Sequence, residues 1–394
     1  MIGLIDRLTG RNKAARPDAT KASRAGTAIV LHAVGRPAHR PRDYAALAED
    51  GYRRNAVVHR TIRMIAEAAA SVPVLVFDGR KERPDHAIAG LLARPNPWET
   101  GPGLFEAFYG HLLVSGNGYL EAVGTEGRTA ELYALRPDRM RVVPGTDGRP
   151  AAYDYAAGGK TVRFDQQAEG LPPILHLTFF NPLDDHYGLS PMEAAGAAID
   201  VHNAASAWNK ALLDNAARPS GALVHQGPAG SSLTGEQFER LKAELEASFQ
   251  GSGNAGRPLL LEGGLDWKPL SLSPKDMDFM EAKAAAAREI ALAFGVPPLL
   301  LGLPGDNTFA NYAEANRVFW RQTVLPLVQR TLKGVEHWLA PSFGAVTLEP
   351  DLDRIEALSA EREALWARVG RADFLTEDEK REAVGYGARG GTRR

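Results

Sequence analysis

Residues 275–340 read KDMDFMEAKAAAAREIALAFGVPPLLLGLPGDNTFANYAEANRVFWRQTVLPLVQRTLKGVEHWLA. The first twenty, 275–294, are rich in Ala, Glu, Lys and Leu, with no internal Gly or Pro, and so predict a helix. Asp276 and Asp278 fall at its front end, where carboxylates suit the helix dipole. Met277, Met280, Ala284, Ala287, Ala291 and Phe294 keep the three-four spacing of one helical face. Gly295 and then Pro297 and Pro298 stop that helix. A short apolar run, residues 299–301, leads into the loop GLPGDNTFAN, 302–311. A second long helix is expected over 312–339, with Tyr312, Phe319, Val324, Leu327, Leu332, Val335 and Trp338 on its buried face. Pro326 interrupts it, removing a backbone donor and kinking the helix without ending it. Spacing alone describes an ordinary helical hairpin with a plain surface connection.

Outward from this stretch the wording becomes more specific. EIALAFGVPPLLLG, a polar loop and then NYAEANRVFWRQTVLPLV resembles the tailed-phage portal family. The resemblance extends to GYRRNAVVHRTIRMIAEAAASVPVLV (51–76), to the PN…F…L…GNGY pattern within 94–119, and to I.HL…GLSPMEAA within 174–195. None of these blocks is a chemical motif. Their joint order and spacing over about 51–340 form the signal, which is nearest to the short-chain portals of long-tailed phages and gene transfer agents.

Composition sets independent bounds. At 394 residues the chain is long enough for two or three domains. Its net charge of −2 lacks the basic excess of a classical DNA-binding domain. A conduit through which DNA slides has the opposite requirement, because tight phosphate neutralisation would stall it. With no cysteine, disulfides, thiolate catalysis and cysteine-based zinc sites are excluded. No run of eighteen apolar residues predicts a membrane span, and the N-terminus lacks a signal-peptide pattern.

Along the chain, 1–10 place Ile2, Leu4, Ile5 and Leu8 on one side of a short helix, and the text from 11 to 42 is basic and turn-prone, reading as a flexible arm. The short helix suits a membrane surface, a scaffold protein or, more simply, packing on its own domain, and the arm suits DNA phosphates, a neighbouring subunit or plain solvation. Residues 44–70 predict one helical segment with Val57, Val58, Ile62, Ile65 and Ala69 buried, followed by a strand at 72–77. Helices follow at 87–93 and 103–115, with Gly116-Asn117-Gly118 as a turn into a strand at 119–123. Strands at 132–135 and 140–143 continue a meander, and 153–155 pairs with 162–164 across AAGGK. A long helix over 191–217 opens on Ser190 as N-cap, with Pro191 first and Glu193 completing a capping box. A strand (221–226), a helix (235–250) and strands at 258–262 and 266–270 make a β-α-β-β insert. The tail gives a strand (345–349), a charged helix (352–369), a short helix capped by Thr376, and a basic, flexible end (387–394).

Motifs for catalysis fail on inspection. Gly158-Gly159-Lys160-Thr161 imitates the end of a phosphate-binding loop, but the glycine required at 154 is Asp154, and the flanks read as a hairpin. Gly188-Leu189-Ser190-Pro191-Met192 imitates a nucleophile elbow, yet the last glycine is missing and a helix cap explains it. Asp184-Asp185-His186 lies in a loop where adjacent side chains do not converge on one ion. Glu349, Asp351 and Asp353 share one side of a strand end without the further acidic ligands a nuclease needs. The histidines show no HxxxH pairing. No cofactor, metal or small-molecule substrate is expected, and the chain reads as a non-enzyme. A nuclease or NTPase and, behind it, a membrane-peripheral adaptor are the competing classes.

The resemblance implies an α+β portal fold: an arm at 1–42, a wing at 43–189, a first stem helix at 190–220 and an inserted clip at 221–273. A second stem helix at 274–301, a tunnel loop at 302–312, a kinked helix with a returning wing strand at 313–350, and a crown with its tail at 351–394 complete it. It further implies a ring of twelve copies at one capsid vertex of a virion or phage-like particle, assembled in the bacterial cytoplasm. The terminase large subunit, the major capsid protein and a head–tail connector would be its protein partners. Double-stranded DNA would pass through the ring without sequence preference. The tunnel loop then offers Asp306, Asn307, Thr308, Phe309 and Asn311 to the channel, hinged at Gly305. Lys275 and Lys283, eight residues apart on the second stem helix, are candidate channel-lining cations, or equally partners of Asp276 or Glu281 at a subunit contact.

Overall fold

The computed structural model describes residues 44–125, 128–166, 170–214, 221–225, 234–236, 239–240, 265–269, 279–303 and 309–388. The expected helical segment 44–70 is broken by its own capping residue. A short turn, Tyr44–Ala46, and a π-helical stretch, Leu47–Arg53, precede Asn55, which is extended (φ −109, ψ 111). The Asn55 side-chain oxygen accepts from the Val57 and Val58 amides at 3.0 and 3.1 Å, satisfying two orphan donors and starting α1, Ala56–Ala70. Val58, Ile62, Ile65 and Ala69 are buried as expected and Ala66 joins them, while Val57 is only half-buried.

Strands β1 (Val74–Asp78) and β2 (Lys81–Glu82) follow, then helices α2 (Ala87–Ala93) and α3 (Gly101–Ser115). Leu104, Phe105, Phe108, Tyr109, Leu112 and Leu113 are all buried on α3, which makes it a core helix packed on α1 rather than a surface amphipath. The expected meander divides into two sheets. Strands β3 (Asn117–Thr125) and β4 (Arg128–Leu135) form a hairpin, whereas β5 (Met140–Pro144), β6 (Pro150–Ala157) and β7 (Lys160–Asp165) form a separate sheet. Pro137 opens the 3-10 turn Pro137–Arg139 between them, and having no N–H it cannot extend the ladder. Tyr153 pairs with Phe164 and Tyr155 with Val162, as the AAGGK turn predicts. Strand β8 (Ile174–Thr178) completes the first sheet on the other side of β3, in the order β4-β3-β8.

Ser190 caps α4 (Pro191–Ala194) with the expected Glu193 capping box, but Ala195 (ψ 4) interrupts the helix before α5, Gly196–Asp214. Strands β9 (Gly221–His225) and β10 (Leu265–Pro269) pair antiparallel, Gly221 opposite Pro269. The strand expected at 258–262 and most of the helix expected at 235–250 lie outside the described residues. Helix α6, Phe279–Ala293, packs along α5. Its buried face is Ala286, Ala287, Ile290, Ala291 and Phe294, whereas Met280 is 72% exposed, which corrects the expected face at its first turn. Helix α7 (Phe309–Phe319) and helix α8 (Leu325–Phe343) are joined by a π-helical turn, Trp320–Val324, immediately before Pro326. The widened turn is where the missing donor of Pro326 is absorbed, so the long helix continues past the proline. Phe319, Val324, Leu327, Leu332, Val335 and Trp338 are buried as expected, and Tyr312, 51% exposed, is not.

Strand β11, Thr347–Pro350, returns to pair with β1, placing Pro350 opposite Val74 and Thr347 opposite Phe77. The charged helix expected at 352–369 starts as two 3-10 turns before α9, Ser359–Gly370. Thr376 and Glu379 form a capping box on α10, Glu377–Ala383. Of the end expected to be flexible, Gly387 and Ala388 are fixed. The Ala388 amide donates to Arg80 O at 2.9 Å, and Arg381 Nε to Gly387 O at 2.8 Å; 389–394 lie outside the described residues.

Two distant sequence blocks meet at Gly116. This residue ends α3 in the left-handed region (φ 74), and its carbonyl accepts from Phe179 N at 2.8 Å. Asn117 Oδ1 accepts from Gly188 N at 2.9 Å and from His176 Nε2 at 3.0 Å, while Tyr153 OH lies 3.2 Å from His176 Nδ1. These partners fix the neutral Nε2–H tautomer of a ring stacked at 4.1 Å on Tyr119. A Cβ on Gly188 would lie 2.6 Å from Phe179 N and closer still to Gly116 O, both rigid backbone. Gly188→Ala is therefore expected to destabilise the chain by about 3 kcal/mol or more, read as loss of soluble protein or a lowered denaturant midpoint.

Burial pushes His176 down to about 3 and His111 down to about 4, the second aided by the Arg136 charge. Both rings stay neutral when folded but gain a proton near pH 6.5 when unfolded, so their stabilisation is complete above that pH and is lost as pH falls toward 3–4. Moving from pH 7 to 5 should cost about 2 kcal/mol per histidine. Urea unfolding at the two pH values checks this, and His111→Gln should remove one share of the difference.

Candidate functional site: helices α5 and α6 and the loop between α6 and α7

The loop expected to carry function is held at both edges. Helix α6 ends at Gly295 (φ 68), with the Val296 amide reaching back to Ala291 O at 2.9 Å. Pro297 is extended, and Pro298–Leu301 makes a 3-10 turn closed by Gly302 (φ 71), which fits a left-handed position that side chains resist. Leu300 and Leu301 pack on the main core. On the far side, Thr323 Oγ1 in the π-helical turn donates to Gly295 O, clamping the end of α6 to the long helix. This bonded threonine fills the space a Cβ on Gly295 would need, at 2.9 Å from Oγ1.

Between these anchors, Asp306, Asn307 and Thr308 lie outside the described residues, as does the hinge Gly305. Phe309 begins α7, and Asn311 is exposed in its first turn. Lys275 also lies outside the described residues. Lys283 is half-buried on α6, close enough to His202 of α5 to lower its pKa after burial has done so. That places Lys283 at the α5–α6 contact.

Sequence reading missed the polar knot beneath these helices. Asn55 Nδ2 lies 3.1 Å from His202 Nδ1 and donates to Asn203 Oδ1 at 3.0 Å. Asn203 Nδ2 in turn donates to Asp50 O at 2.8 Å. Asn55 and His202 are buried, and the neutral His202 accepts from the amide. One asparagine thus caps α1 and fastens α5 to it. Sequence reading placed Asn55 inside a continuous helix, so neither its capping role nor its reach to His202 was read there, although an Asn just before AVVHRTIR is a local cap signal. A second missed tie is Glu361 of α9, which accepts from Arg317 at 3.4 Å and Arg321 at 3.3 Å, joining the helix that leaves the loop to the C-terminal helices.

The catalytic look-alikes resolve into structural roles. Gly158 and Gly159 have positive φ (57 and 76) and form the β6–β7 turn. Ser190 is fully buried, donating to Leu113 O and accepting from Met192 N, both at 3.0 Å. Asp184 Oδ1 accepts from the His186 and Tyr187 amides. Glu349 pairs with Lys333, Asp351 caps a turn, and Asp353 accepts from Arg362 and Tyr386. Among the described residues, no three His, Asp or Glu side chains are grouped to hold a metal ion, and no helix is long and apolar enough to cross a membrane.

Comparison with known proteins gives this architecture its context. The chain is 55% identical to a subunit in the neck of an empty gene transfer agent particle, solved with C6 symmetry, with a TM-score of 0.72 over 90% of this chain and 96% of that one. The same identity holds for the neck of a native particle solved with C12 symmetry, TM-score 0.70 over 90% and 96%. An uncharacterized protein of Rickettsia bellii (strain RML369-C) is 43% identical, covering 85% of this chain and 88% of its own length. The portal protein of Enterobacteria phage HK97 is 27% identical, covering 82% and 77%. Fold and helical scaffold define a structural protein of phage-like particles. Residues 56–385 match the phage portal protein family, and the chain belongs to it.

The anchor at the loop edge is testable. Gly295→Ala forces a side chain into the left-handed region and against Thr323, and should destabilise the fold by about 1–3 kcal/mol. An unchanged thermal midpoint would mean that Gly295 and Thr323 do not hold the loop edge.

Proposed function

We propose that this chain assembles into a closed ring of twelve copies at one vertex of a phage-like capsid, and that double-stranded DNA enters and leaves through its axis. The observation that carries this is the 55% identity, over 90% of the chain, to subunits of gene transfer agent necks solved with twelvefold and sixfold symmetry. A heterologous contact repeated by rotation closes such a ring without leaving an unsatisfied face. The chain's part is mechanical, with no bond made or broken; hydrolysis belongs to a separate motor, the terminase large subunit, docked through the clip at 221–273. The major capsid protein surrounds the ring, and the head–tail connector binds it after filling.

In this reading the loop between α6 and α7 faces the channel. Asp306, Asn307, Thr308, Phe309 and Asn311 offer short polar groups and one ring to a moving duplex, and the acidic residue keeps the wall from gripping phosphate. The clamp at Gly295 and Thr323 fixes the base from which the loop leaves α6. Lys283, with Lys275 eight residues before it in the sequence, adds positive potential at the stem, tempered by its place beside His202.

Light scattering and negative-stain imaging of the purified chain should give rings with a central hole at about twelve times 42.5 kDa. Deleting 304–309 should leave ring mass unchanged and lower the yield of DNA-filled particles. Failure of ring assembly in that variant would make the loop a structural element. A dimer with nuclease or NTPase activity would overturn the whole reading.

A further inference from the structure

On the β3–β4 hairpin, Tyr119 lies opposite Leu135, Glu121 opposite Tyr133 and Val123 opposite Glu131, all on one face. At the Tyr119 end this face is covered, since Tyr119 and Leu135 are buried in the smaller core beneath the second sheet. Two residues further on the cover ends. Val123 is 40% exposed, and Trp98 stands beside Tyr133, ring centroids 6.1 Å apart, with 80% of its surface open.

Trp98 is displayed by a fixed loop. Asn96 is buried; its oxygen accepts from the Trp98 and Glu99 amides at 3.0 and 2.9 Å, and its amide donates to Leu132 O at 2.9 Å. Pro95 O accepts from Leu132 N at 2.7 Å. A tryptophan held out on such a backbone loses little entropy when it is covered, which is the profile of a contact anchor. Around the rings stand Glu131, which accepts from Tyr133 OH at 2.6 Å, together with Glu121 and Glu99, whose charges also act on that phenol. Among the described residues, no lysine or arginine forms an ion pair with any of the three. The face is thus aromatic, acidic and without a cation of its own.

The chain holds a segment of the complementary chemistry. Residues 1–43 contain nine Lys and Arg against three Asp and Glu, a surplus of six. The whole chain is −2, so everything after residue 43 stands at −8. The first described residue after the arm, Tyr44, packs on the main core near the turn that follows β4. Tyr44 OH lies 3.0 Å from His111 Nδ1, and Asp138 and Arg136, in the turn after β4, act on its phenol. Glu131 is five residues up β4 from Arg136, roughly 17 Å at strand rise. Residues 36–43 span up to roughly 26 Å when extended, enough to reach it. Their sequence, Arg-Pro-Ala-His-Arg-Pro-Arg over 36–42, combines three cations with two prolines. Prolines favour the extended polyproline conformation, which docks on aromatic surfaces at low entropic cost.

We propose that residues 36–42 of the basic arm fold back onto the Trp98–Tyr133 face of the same chain. Pro37 and Pro41 pack on the two rings, and Arg36, Arg40 and Arg42 meet Glu99, Glu121 and Glu131. The segment of the arm nearest the body is then a protein-binding strap whose charge is neutralised in place, not a DNA-binding tail. This inference stands whether or not the ring conducts DNA.

A photoreactive benzophenone side chain placed at His39 of the full-length chain tests it. Mass spectrometry should map adducts to residues 96–99, 121–123 and 131–133. Their yield should fall roughly tenfold in Trp98→Ala, in the pair Glu99→Gln with Glu131→Gln, and in the triple change of Arg36, Arg40 and Arg42 to Gln. High salt should lower it as well. Trp98 is mostly exposed, so its removal leaves the fold intact, and circular dichroism confirms this for each variant. Adducts elsewhere on the body, or yields unmoved by all three variants, overturn the proposal. So do adducts found only between chains in rings mixed from light and heavy isotopes, since these assign the face to a neighbour's arm.

Discussion

Much of the chain's geometry depends on one backbone crossing, where Gly116 and Gly188 approach too closely for a side chain on either. Asn117 locks that crossing with its oxygen on the Gly188 amide, and His176 completes the hydrogen bonding from the neighbouring strand. Gly116, Asn117 and Gly188 are buried, so their donors and acceptors must be matched inside the protein, because water cannot substitute. The crossing fixes the end of α3, the start of β3 and the entry to α4 at once. The first sheet and helix α4 take their positions from there.

A second constraint orders the helices. Asn55 serves α1 as a cap and α5 as a hydrogen-bond partner, so the two helices share a residue. Thr323 and Glu361 do the same for the end of α6 and for the C-terminal helices. The exposed ion pairs among these contribute little each. The buried asparagine is different, since removing it would strand donors of α1 and the acceptor of His202 together.

Legibility in the sequence followed the range of the physics. Ser190, Thr376 and the AAGGK turn act within a few residues, and each was read correctly because capping and hairpin geometry are local. The faces of α1 and α8 were legible from their spacing. The face of α6 was not fully so: Met280 has helical spacing, but exposure depends on what lies opposite, and that is set by α5. The division of the meander into two sheets and the break at Ala195 were likewise hidden, because each reflects which partner a segment finds. Of the candidate site, the edges of the loop at Gly295 and Gly302 were readable as glycine breaks, while the Thr323 clamp joins residues 28 apart.

The sequence by itself determined the family, through ordered blocks over most of the chain, and each catalytic motif it imitates is incomplete in the letters alone. It also set the neutral overall balance and the basic surplus of the arm, since charge and composition need no coordinates. Only the tertiary structure decided that Asn55 meets His202, that Gly116 meets Gly188, and that Trp98, Tyr133 and three carboxylates share one uncovered face. Those are contacts between residues far apart along the chain, and they exist only once burial of the apolar faces has chosen which segments become neighbours.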